Sequence, residues 1–135
     1  MKSCRSGVLF LSLELLVLAS PFMPTSVRAS AADTTKRTLT GTLVDITCAT
    51  DPKTDLGKLR AHHTRKCLLM PICAASGYAV LTDDDEVLRF DTKGNHLAQQ
   101  LIEKHARNQH WRVSIDGSID GDQLDVVHIK LLRSK

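Results

Sequence analysis

From Thr38 to Thr47 β-branched and apolar residues alternate at period two, the spacing that sends successive side chains to opposite faces of a strand. Gly41 interrupts this run, and a glycine inside a strand often marks a bulge or a sharp bend. Tyr78–Thr82 and Val87–Asp91 are two further strands, joined by the acidic turn Asp83-Asp84-Asp85-Glu86, so they read as a hairpin. Asn95 is the expected cap of a helix in which Leu97, Leu101 and His105, with Ala98 and Ile102, recur at helical spacing as one apolar stripe. Trp111, Val113 and Ile115 form one face of a fourth strand. In a fifth, Asp125, Val127, Ile129 and Leu131 alternate with Leu124, Val126, His128 and Lys130, and Asp116–Asp122 supplies the turn between the two.

The order is therefore β, loop with helical turn, β, β, α, β, β. A mainly β chain with one or two helices in this order matches the connectivity of the five-stranded OB-fold barrel. An open α+β sheet would have the same string; the bent first strand and long final strand favour closure. No repeat at a period of 20 to 50 residues breaks up the chain. It reads as one OB-like domain over residues 32–135, in which residues 48–77 form an insertion between the first two strands.

Residues 1–31 fall outside that pattern. Lys2 and Arg5 precede the apolar run Val8–Leu18, followed by Pro21, Pro24 and the small-residue stretch Ala29-Ser30-Ala31. This is the order of a secretory signal peptide, with cleavage expected after Ala31. The apolar run carries Glu14 and falls well short of the roughly 20 residues that a bilayer requires. The expected mature form is soluble, without a membrane span, and periplasmic or secreted, where disulfides survive. Cys4 leaves with the leader.

Of the 135 residues 42% are apolar and 24% charged, the composition of an ordinary globular protein. The formal charge is +3, but residues 1–31 hold three cations and one acid, which leaves 15 basic against 14 acidic residues in the remainder. Phe90, Tyr78 and Trp111 are the aromatics of the mature chain. Single-strand binders combine a basic groove with stacking aromatics, so a nucleic-acid partner is not expected. The partner is instead an unidentified small ligand or protein.

The candidate chemistry sits in the insertion, which holds Cys48, Cys67 and Cys73 together with His62 and His63. One reading is a disulfide that pins the long loop. Cys67 and Cys73 would lie on different faces of a continuous helix unless Pro71 broke it, so Cys48 paired with Cys67 or Cys73 is easier. A second reading is a metal site. His63 and Cys67, four residues apart, would project from one helical face, and Cys48 and Cys73 would complete a set suited to zinc, or to copper with Met70 nearby. A third is a reactive thiol, since Arg65 and Lys66 flank Cys67 and would favour its thiolate. Redox enzymes of the thioredoxin type use Cys-x-x-Cys in a βαβ setting, and neither occurs here. Asp116, Ser118, Asp120 and Asp122 have the spacing of a calcium loop, but Val127 stands where the bidentate Glu belongs.

The stretches His63-Thr64-Arg65-Lys66-Cys67, Cys73, Ser76-Gly77-Tyr78 and Phe90-Asp91-Thr92-Lys93-Gly94-Asn95 resemble a group of small exported bacterial proteins of uncharacterised function. The segments Gly41–Cys48, Val113–Gly117 and Gly121–Ile129 resemble the same group, so the likeness covers nearly the whole mature chain. It implies an OB-like fold and no particular activity. The expectation is an exported, non-enzymatic binding or interaction module with a disulfide-pinned Cys/His loop at the barrel mouth. The rival is a zinc- or copper-binding protein or a thiol-dependent enzyme using Cys48, His63, Cys67 and Cys73.

Overall fold

The computed structural model describes residues 36–133. The leader expected over residues 1–31 lies outside them. Five strands are present: β1 (Arg37–Asp45), β2 (Tyr78–Thr82), β3 (Val87–Phe90), β4 (Arg112–Asp120) and β5 (Gln123–Leu131). Each pairs with two neighbours in the order β1-β2-β3-β5-β4, and β4 returns to β1, so the pairing runs in a closed ring. All contacts are antiparallel except β3 with β5. β1 serves both sides by changing partner along its length, with Arg37–Thr42 on β4 and Gly41–Asp45 on β2. Gly41 stands where the two pairings overlap. A Cβ there would lie 2.5 Å from Val80 Cγ2 and 2.6 Å from the Leu81 carbonyl oxygen, so only glycine lets the two strands approach this closely.

The interior is built from Leu43, Tyr78, Val80, Leu88, Phe90, Trp111, Val113, Ile115, Leu124 and Val126, joined by Ala98 and Ile102 of a long helix. Alternate residues of the first two strands, Val44, Ala79 and Leu81, form a second cluster on the outer side with Ala49, Ile46, Leu56 and Leu59. That outer cover explains why Gly41–Asp45 and Tyr78–Leu81 are buried on every residue. A strand packed on both faces loses its polar alternation.

The expected one or two helices are corrected to five. The insertion folds as α1 (Ile46–Thr50), α2 (Leu56–His62), α3 (Arg65–Leu68) and α4 (Pro71–Ser76), and α5 (Thr92–Lys104) follows β3. The short ones are set by their first residues. Asp45, Asp55 and Thr64 accept the backbone N–H three residues on, from Cys48, Lys58 and Cys67, and Pro71 opens α4 at a position where its missing N–H costs nothing. None is long enough to persist alone; α1 and α2 lean on the outer cluster, whereas α3 and α4 pack on the interior through Leu68 and Ala74. Arg65 adds a tether by donating from Nε to the carbonyls of Ile102 and His105 at the end of α5.

Three boundaries move. The first strand stops at Asp45 rather than Thr47, because the Asp45 side chain turns back to cap α1. α5 begins at Thr92, three residues before the expected Asn95 cap, because Asp91 caps it by accepting from Gly94 N–H. Asn95 instead accepts the Tyr78 N–H at 2.6 Å and donates to the Phe90 carbonyl at 3.2 Å. The turn expected over Asp116–Asp122 shrinks to Gly121-Asp122, with β4 running to Asp120. A register shift between Asp116 and Gly117 absorbs the extra twist, and Asp116 faces Thr38, whose hydroxyl donates to it at 2.6 Å. The calcium-loop spacing is therefore spent on a hairpin. Among the described residues no helix is long and apolar enough to cross a membrane.

Candidate functional site

The end of β1 is where the insertion begins, and Asp45 stands at that junction. It pairs across to Tyr78 and by alternation shares the side of Leu43, which faces the interior. Its carboxylate is fully buried. Oδ1 accepts the Cys48 N–H at 2.9 Å, which fixes the turn that carries the Cys48 thiol. Oδ2 lies 3.0 Å from His63 Nε2.

His63 is 5% exposed and ends α2 as its C-cap, and its N–H bonds back to the Leu59 carbonyl. Thr64 then caps α3 by accepting the Cys67 N–H at 3.1 Å. The expected single helix through His63 and Cys67 is therefore broken between them, yet both side chains reach the same point. Convergence comes from the break between the two helices rather than from spacing along one. Cys67 Sγ lies 3.9 Å from Cys48 Sγ.

The donor atoms of Asp45, Cys48, His63 and Cys67 all lie within 4.8 Å of one another. Two features of this group bear on what it can do. First, Asp45 Oδ2 and His63 Nε2 are buried and face each other as an ion pair at 3.0 Å, with no other hydrogen-bond partner for either atom. Burying such a pair is costly when its remaining bonding capacity is unmet. Second, two zinc–sulfur bonds of about 2.3 Å at a tetrahedral angle hold sulfurs about 3.8 Å apart, and the thiols here stand at 3.9 Å.

Burial alone would raise the Asp45 pKa, but the His63 imidazole and the Cys48 N–H outweigh it and hold the carboxyl below its usual range. Burial pushes the Cys48 thiol upward, with the Asp45 charge and Cys67 adding to it. Cys73 is pushed up to about 11, first by burial and then by Asp45 and Cys67. A metal ion in this group would have to displace the Cys48 proton, so binding would be pH-dependent.

Of the expected ligands, Cys48, His63 and Cys67 come together. Cys73 is outside this group; it is buried on α4, near enough to Asp45 and Cys67 to feel both. Asp45 takes the fourth place, a residue that the period-two pattern of Thr38–Thr47 places inside the first strand. Its signal was the Asp-x-x-Cys step at the strand end, which is an N-cap pattern. The expected disulfide is corrected as well: Cys48, Cys67 and Cys73 are free thiols, and the 3.9 Å between Cys48 and Cys67 is far beyond a covalent bond of about 2.05 Å. Arg65 does not serve Cys67, because its guanidinium is spent on α5. His62 is exposed, and Met70 is 44% exposed.

Beside the cluster lies a basin of about 430 Å³. His63 and Cys67 form part of its wall, together with Lys53, Lys58 and His62. The buried oxygen and nitrogen thus lie on the protein side, and the half-buried sulfurs lie toward solvent. The chain matches no family model, no curated protein and no solved structure.

Proposed function

We propose that this protein is an exported, OB-like binding module that holds a zinc ion at the mouth of its barrel. The ligands are Asp45 Oδ2, Cys48 Sγ, His63 Nε2 and Cys67 Sγ. The closed ring with a parallel β3–β5 contact and a helix between β3 and β4 supports the OB-like reading. The leader pattern of residues 1–31 supports export.

The observation that carries the metal reading is the buried Asp45–His63 pair, whose Oδ2 and Nε2 have no hydrogen-bond partner beyond each other, converging with two sulfurs at tetrahedral spacing. Two sulfurs, one imidazole nitrogen and one carboxylate oxygen suit borderline zinc. Copper(I) prefers an all-soft set, and the buried carboxylate disfavours it. Four protein ligands make a closed site, the kind that contributes folding energy rather than activating water. The zinc would then lock α1, α2 and α3 to the end of β1, so that the insertion presents a fixed surface to a small ligand or protein partner.

The test is elemental analysis of the purified reduced chain, followed by replacement of the metal with cobalt(II). One zinc per chain and a cobalt spectrum with intense tetrahedral bands and thiolate charge transfer are expected. A chain that binds neither ion under reducing conditions would sink the reading.

A further inference from the structure

Only two of the three described thiols are both paired and reachable. Cys48 and Cys67 are half-buried with their sulfurs 3.9 Å apart, whereas Cys73 is buried. The two sit on separate short helices, α1 and α3, and Cys67 alone among the cysteines lines the basin. Closing the sulfurs to bonding distance needs a shift of roughly 2 Å, which small rotations of two side chains on short, capped helices can supply. A basin of about 430 Å³ is large enough to admit a small-molecule disulfide to the Cys67 sulfur.

We infer that Cys48 and Cys67 are the site of a reversible disulfide that excludes the metal, so that a small-molecule disulfide drives zinc out of the protein. The inference rests on the zinc reading above for the released ion, but not for the thiol pair. The Cys67 thiolate attacks one sulfur of the incoming disulfide, forming a mixed disulfide and expelling one thiolate. Cys48 then attacks the Cys67 sulfur, forming the internal bond and expelling the second thiolate, which in the zinc-free chain takes up the Cys48 proton. The two protein sulfurs lose two electrons in all, and the small-molecule disulfide, reduced to two thiols, carries them away. The metal is left with Asp45 and His63, two ligands of four, and dissociates. Cys67 is the entry sulfur because it faces the basin; Cys48 resolves because it stands beside Cys67. Cys73 takes no part.

The experiment uses the full chain carrying Cys4→Ser, so that three cysteines remain, with oxidised glutathione as the probe. A zinc-loaded sample and a zinc-free sample are treated in parallel. Released zinc is read with a chromogenic chelator, and peptide mapping after alkylation locates the linkage. The expected result is a Cys48–Cys67 link, about one equivalent of zinc released, an alkylatable Cys73, and recovery of binding on reduction. Adding Cys48→Ser is expected to trap glutathione on Cys67. A link through Cys73, glutathione trapped on Cys48 of the parent chain, or zinc retained with all thiols intact would overturn the proposal. If the chain takes up no zinc, the metal reading fails by itself, and the map of the zinc-free sample still decides the thiol pair.

Discussion

Asp45 and His63 meet in the protein interior as an ion pair at 3.0 Å, the carboxylate fully enclosed and the imidazole nearly so, with no other hydrogen-bond partner for either facing atom. The same carboxylate anchors Cys48 through its other oxygen, so one residue sets the position of two others. Asp45→Asn separates these roles. Asparagine still caps a helix well, so α1 should persist and the far-ultraviolet circular dichroism should be unchanged. Losing a charged ligand exceeds the loss of an outer-shell partner, which costs 10–100-fold, so zinc affinity should fall by about 100-fold or more. Chelator competition measures this; an affinity within about threefold of the parent would remove Asp45 from the site.

Tyr78 is the only tyrosine in the chain, and its hydroxyl donates to the Leu68 carbonyl at 3.0 Å inside the core. Burial raises its pKa above the usual 10.0, with the negative charges of Asp45 and Glu103 contributing. The folded state therefore holds the phenol proton more tightly than the unfolded chain. The resulting stability is complete below the unfolded pKa and is lost as pH climbs through the folded value. Phenolate absorbance followed against pH should show a midpoint above that of free tyrosine, coinciding with alkaline unfolding. A midpoint at the ordinary value in the folded protein would contradict the burial.

Gly41→Ala should destabilise the body without touching the site. The added methyl meets Val80 Cγ2 and the Leu81 carbonyl at 2.5 and 2.6 Å, and the second of these is backbone that cannot swing away. Overpacking of this sort costs about 1–3 kcal/mol. A chemical denaturation curve should show the lower midpoint, with zinc stoichiometry retained in the folded fraction.

Asp91→Ala should cost more than a simple lost cap, which is worth about 1 kcal/mol. Its Oδ1 accepts from Gly94 N–H at 2.8 Å and from Val126 N–H at 3.1 Å, so it ties the start of α5 to β5. Removing it leaves both donors short of a partner. Thermal melting should register a loss of about 2 kcal/mol, and Asp91→Asn should recover part of it. Equal stability of the alanine variant and the parent would show that the bridge is unimportant.

The strands were legible where one face is wet. Trp111, Val113 and Ile115 alternate cleanly because β4 has one buried side, and they enter the core as expected. The ends of elements were not legible where a side chain, rather than a change of pattern, stops them. Asp45 and Asp91 both looked like strand residues, and both turned out to be caps. The concentration of cysteine and histidine in the insertion was plain, but the choice among them depends on tertiary placement. His63 and Cys67 converge although Thr64 separates their helices, and Cys73 is displaced because Pro71 starts a new helix. A spacing rule along one helix cannot anticipate either outcome.

The parallel contact between β3 and β5 spans only two residue pairs, Arg89 with Gln123 and Phe90 with Leu124, whereas β4 meets β5 along eight. That short seam is where the cylinder should unzip first on heating. Its amides should exchange with solvent ahead of those shared by β1 and β2, which border the far-side anchorage of the thiols. Breathing of the body and the Asp45, Cys48, His63 and Cys67 group are thereby assigned to opposite flanks of the same small protein.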